Sequence, residues 1–176
     1  MPIKSVTMSL GLPFGFGSLG GTWEPSEDER RAAWEMYVEL ITRILVEELE
    51  PGQGFLREAL TSLYSLFGTT RDILRKYGPG VAAPSKGSDL SFGIIAVAVL
   101  NKALRPLLTK WHPELSHYES QRAPDLSPLE HERAWERADE LRADLNEVRG
   151  ALRTYAYYLG KVAEVPSLVG EDRPEA

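Results

Sequence analysis

The stretch from Ala138 to Val162, ADELRADLNEVRGALRTYAYYLGKV, decides the fold. Ala138, Leu141, Leu145, Val148, Leu152, Tyr155, Leu159 and Val162 alternate steps of three and four without a miss, which is the a/d seam of a helix packed along one side. Extended backward, the same register takes in Ala134 and His131. Ser127, Pro128 and Glu130 supply a cap, a first-turn proline and a capping-box acid. The spacing therefore predicts one helix from Pro128 to about Glu164, roughly 55 Å long at 1.5 Å per residue. That exceeds what its neighbours cover, so its surplus end is expected to meet the N-terminal segment, a second copy or a different partner, with the seam residues Leu145, Leu152, Tyr155 and Leu159 as the expected partner contacts.

Working toward the N-terminus, three further helices are expected. Helix A is capped by Ser26, with Glu29 three residues on, and runs to about Leu49 before Pro51-Gly52. Its core stripe is read as Trp34, Tyr37, Val38, Ile41, Ile44 and Leu45. Helix B spans about Phe55 to Tyr77, with Leu56, Leu60, Leu63, Phe67, Leu74 and Tyr77 inward, and Gly78-Pro79-Gly80 ends it. Helix C starts at a Ser88 or Asp89 cap and is apolar on every side from Ile94 to Leu100, as a central buried helix is. Its apolar run is about half of the roughly 20 residues a bilayer span requires, so no membrane span is expected. Pro113 biases His112 toward extended backbone, and a polar connection containing Pro124 follows.

The fold class is thus all-α: an up-and-down bundle of about four helices with an irregular or short-strand N-terminal segment. Residues 1–22 form that segment, residues 23–166 the bundle and residues 167–176 a charged, flexible tail. In the segment, Val6, Met8, Leu10 and Leu12 alternate as in a strand and give way to a glycine-rich run to Gly21. Phe14 and Phe16 suit it to docking.

The chain has 176 residues, 43% hydrophobic and 26% charged, which fits one domain and excludes a disordered protein. Without cysteine there is no disulfide scaffold, thiolate zinc site or Cys nucleophile. Met1 to Gly21 holds one basic residue and no continuous apolar core, so a cytoplasmic location is expected. A net charge of −6 speaks against a general nucleic-acid binder, and no DNA is expected. Charge is uneven: Glu24 to Glu50 holds nine acidic and three basic residues, whereas Arg71 to Lys110 holds seven basic and two acidic.

Gly15-Phe16-Gly17-Ser18-Leu19-Gly20 matches a dinucleotide-loop pattern, but no helix opens at it and no parallel strands follow. Glu114 and His117 form one Glu-x-x-His, and the second such motif that a di-metal bundle needs is missing. Neither a cofactor nor a metal is expected. No Gly-x-Ser-x-Gly is present. The tryptophans read as core and interface anchors.

Arg105 and His112 stand seven residues apart, about 20° from one azimuth on a helix. An arginine to hold a phosphate and a histidine to move a proton are what metal-free RNA cleavage needs. On these residues the chain loosely resembles the HEPN family of small helical bundles, many of them ribonucleases of bacterial defence and toxin systems. The resemblance implies Arg105 as phosphate contact, His112 as proton-transfer residue, Lys102 and Lys110 as backbone contacts, and a dimer with RNA as substrate. The expected function is a non-enzymatic interaction or accessory module, in a bacterial defence or signalling setting, which binds a protein partner or itself. The alternative is a HEPN-like metal-independent ribonuclease, or an inactive relative, acting as a dimer.

Overall fold

A computed structural model describes residues 3–43 and 53–168. The chain is mostly helical, with one short antiparallel hairpin. Strands β1 (Val6–Gly11) and β2 (Ser18–Trp23) pair with Leu10 opposite Leu19 and Val6 opposite Trp23. Helices α1 (Glu27–Ile41) and α2 (Leu56–Tyr77) follow, then α3 (Phe92–Val99), a π turn (Leu100–Leu104), α4 (Arg105–Ser120), α5 (Pro128–Arg133) and α6 (Ala138–Val162).

The seam of α6 is buried by its own chain. Leu141, Leu145, Val148, Leu152, Tyr155, Leu159 and Val162 all lie in the core, packed chiefly against α1 and β1. The helix closes with Glu164 at φ +57° and Val165 N–H returning to the Gly160 carbonyl, which satisfies one of its last orphan acceptors.

The single long helix is corrected. It breaks between Arg133 and Ala138, leaving an α6 of about 37 Å. A continuous helix that kept Ala134 on the seam would turn Trp135 about 100° away from it. With the break, Trp135 is buried instead, edge-on to Trp111 and stacked on Tyr118. His131 stacks on Tyr118 at 4.0 Å between ring centroids, and the two exchange hydrogen bonds with each other's carbonyls. These contacts hold α5 off the axis of α6.

Helix α1 carries its expected capping box but ends at Ile41; Ile44, Leu45, Leu49 and Pro51-Gly52 lie outside the described residues. Its inward face is Ala32, Ala33, Met36, Tyr37 and Leu40, while Trp34 is 41% exposed and Val38 and Ile41 are only half-buried. Two alanines allow the closer helix approach that a tryptophan would prevent. Helix α2 matches its predicted bounds within a residue, and Gly78 at φ +73° terminates it.

Helix C is a helix, capped by Ser91 rather than Ser88 or Asp89. It continues through the π turn into α4, so Pro113 lies inside a helix, and His112 is helical rather than extended. The polar connection begins only after Ser120. Pro106 has no N–H for the Lys102 carbonyl, and the ladder slips just before it: Arg105 N–H bonds to Leu100, five residues back. The composite helix Phe92–Ser120 has the length and composition of a bilayer span, and 56% of its most apolar window is packed inside the molecule.

The N-terminal segment is no separate unit. Val6, Met8, Leu10 and Trp23 join the common core, and the boundary expected at residue 22 falls within β2. Leu12 N–H bonds to the Gly17 carbonyl across a turn in which Phe14, Gly15 and Gly17 all have positive φ. The glycines of the dinucleotide-like pattern thus serve a hairpin. Buried Glu29 ties the hairpin to the helices. One carboxylate oxygen accepts from Trp23 Nε1 and Phe92 N–H, while the other accepts from Ser26 N–H.

Candidate functional site: the face of α2 and α4

Helix α2 offers Arg57, Tyr64, Phe67 and Arg71 at steps of seven, three and four, which is one side of a helix. Helix α4 offers Arg105, His112, Ser116 and Glu119 at steps of seven, four and three. The two rows meet in antiparallel order. Arg105 lies over the Phe67 ring, His112 meets Tyr64 and Arg57, and Glu119 reaches Arg57. Arg105 and His112 therefore share a face, as their spacing predicts, but each is engaged by a different part of α2.

Arg57 organises one end. Its Nε and Nη2 donate to the two carboxylate oxygens of Glu119 at 2.9 and 2.8 Å, Nη2 also reaches Ser116 Oγ at 3.1 Å, and Nη1 lies 3.0 Å from His112 Nδ1. A guanidinium has only donors, so Nδ1 must be the acceptor and the ring proton sits on Nε2. Burial holds the imidazole below its ordinary pKa, the Arg57 charge lowers it further, and Glu119 opposes both. The ring is consequently a neutral donor. In this arrangement Nε2 carries the ring proton and has no lone pair with which to take another.

Beneath Arg57, Glu132 of α5 is buried and caps the start of α2, where Phe55 provides no side-chain cap. Its two oxygens accept from Leu56 N–H at 2.7 Å and Arg57 N–H at 3.3 Å. Burial raises its pKa despite those two donors. A cavity of about 280 Å³ opens beside it, lined by Phe55, Tyr118, Glu119, Arg122, Pro128, His131 and Glu132.

At the other end the guanidinium groups of Arg105 and Arg71 lie 5.3 and 5.8 Å from the centroid of the same Phe67 ring. Arg105 Nε also donates to Asn101 Oδ1 at 3.1 Å. Tyr64, between the two ends, is 62% exposed. Lys102 is exposed in the π turn, and Lys110 is turned to α6, where it pairs with Glu140 and Asp144.

The remaining expected site residues lie elsewhere. Leu145, Leu152, Tyr155 and Leu159 are 7%, 1%, 2% and 0% exposed, so the seam offers no surface in the folded chain. Phe14 is half-buried with its N–H on Glu147, and Phe16 at the hairpin tip is 50% exposed. Glu114 pairs with Arg137, and His117 contacts Gln121, so they and His112 have separate partners. Among the described residues no group of three or more metal-ligating side chains converges. Sequence reasoning missed Arg57, because its partners His112 and Glu119 stand more than fifty positions away. No family model, curated protein or solved structure matches the chain.

Proposed function

We propose that the protein is a non-enzymatic helical interaction module, an accessory subunit that binds a protein partner through the face of α2 and α4. The observation that carries this reading is the Arg57 hydrogen bond to His112 Nδ1. It leaves the face with donors, positive charge and an exposed tyrosine but without a free imidazole base. Burial of the α6 seam moves the expected contact surface from that helix to this face. Exposed tyrosine and arginine side chains are the types that most often anchor protein interfaces.

A photocrosslinking phenylalanine analogue in place of Tyr64, expressed in the native host, tests the reading. A discrete protein adduct at Tyr64 that is absent when the analogue replaces exposed Glu27 is expected. The same adducts at both positions, or none, would contradict it.

A second reading, a HEPN-like metal-independent ribonuclease acting as a dimer, draws support from one observation: Arg105 and His112 share a face with two aromatic rings between them. Incubation with RNA tests it. Cleavage abolished by Arg105→Ala or His112→Ala would favour this reading, and cleavage that survives both changes together would end it.

A further inference from the structure

We infer that the face formed by Phe67, Arg71, Arg105 and Tyr64 takes an acidic polypeptide segment. The inference rests on the interaction-module reading and names the partner's chemistry. Its starting point is how the arginines are used. Arg30, Arg43, Arg57 and Arg137 each hold a carboxylate within 3 Å. Arg71 and Arg105 instead lie over one aromatic ring, and among the described residues neither makes an ion pair. Because both distances run to the same centroid, the two guanidinium carbons are at most about 11 Å apart. Two carboxylates one to two helical turns apart, or two residues apart in an extended strand, fall within that interval.

A guanidinium packed on a ring gives up less side-chain entropy on binding than one in water, and Arg105, whose Nε is taken by Asn101 Oδ1, keeps its terminal Nη1 and Nη2 edge for a carboxylate. Phe67 thus pre-positions two guanidinium donors for carboxylates. Exposed Lys102 adds positive charge from the π turn, and exposed Tyr64 adds an amphipathic anchor beside the charges. Carboxylates are favoured over a nucleic-acid backbone for two reasons. Glu119 lies on the same face and, with a net charge of −6, opposes a continuous polyanion. Tyr64 is also the single well-exposed ring on this face, whereas single-stranded RNA sites present successive rings for stacking.

The test is fluorescence anisotropy on the full chain with a labelled Glu-rich amphipathic peptide, its Glu→Gln counterpart and an oligouridine of similar length. The expected result is binding of the Glu peptide that weakens with salt and falls at least tenfold in the Arg71→Glu/Arg105→Glu variant. Lys161→Glu, on exposed α6 surface, serves as the charge control and retains binding. Both substituted arginines are exposed, and a thermal melt matching wild type establishes that the fold is kept. Equal binding of the Gln peptide, stronger binding of RNA, no binding at all, or indifference to the double variant would overturn the inference. A Tyr64 adduct to a protein without an acidic segment would overturn it while leaving the interaction-module reading standing. Loss of both adduct and peptide binding would end both.

Discussion

Arg57 Nη1 sits 3.0 Å from Nδ1 of His112, a contact that joins α2 to α4 and fixes which imidazole nitrogen bears the proton. Protonation of the ring would turn this bond into a contact between two cations. Since the folded-state pKa of His112 lies below 6.5, the unfolded chain binds the proton more tightly. The stability this supplies is fully present above the unfolded value and is lost as pH falls from there through the folded one.

The expected outcome is a melting temperature that drops between pH 7 and 5 in wild type, and drops less in His112→Asn, whose side-chain carbonyl still accepts from Arg57. Parallel thermal melts across this range check it. Equal slopes would show that His112 does not carry the effect.

Glu132→Ala leaves one buried and one partly buried N–H group at the start of α2 without acceptors. A loss of about 2 kcal/mol is expected, within the cost of orphaning buried donors. Urea unfolding measures it. Because the Glu132 pKa is raised by burial, the folded state holds the proton more tightly, and its ionisation costs stability as pH rises through the folded value. Arg57→Ala, tested alongside, removes the guanidinium but keeps the cap, so it separates the two functions of this corner.

Leu152→Ala is expected to cost about 2–5 kcal/mol, as for a leucine in a closed core, without changing the mass of the folded protein. Leu145→Lys and Leu152→Lys are expected to unfold the chain rather than only dissociate it, because each puts a charge into the interior. Light scattering on the folded fraction distinguishes the outcomes. A soluble, folded Leu152→Lys variant of lower mass would place the seam in an interface after all.

Two glycines make opposite predictions. A Cβ on Gly93 would stand 2.8 Å from Ala82 Cα, in backbone that cannot yield, so Gly93→Ala is destabilising by about 1–3 kcal/mol. Gly68, exposed within α2, has nothing within 4 Å of an added Cβ, and Gly68→Ala is expected to stabilise by up to about 1 kcal/mol. Differential melts read both signs.

Local signals in the sequence reached as far as local physics does. The capping boxes at Ser26/Glu29 and Ser127/Glu130, the bounds of α2 and the inward row of α6 were legible because each is written within one or two turns. β2 was not, since SLGGTW has no alternation of its own and is held by pairing with β1. The face of α1 was misread because Trp34 outweighs Ala32 and Ala33 in hydrophobicity, although close packing selects the small residues. The break before α6 depends on Tyr118 and Trp111, which belong to another helix. At the site, the shared azimuth of Arg105 and His112 was readable, but the partner that assigns His112 its tautomer was not.

That tautomer is the most direct test of the account. In ¹⁵N-resolved NMR at neutral pH, His112 is expected to show a bare Nδ1 and a protonated Nε2, and Arg57→Ala should release that preference. A protonated Nδ1 with a bare Nε2 would give the face an available base and contradict the binding-module reading.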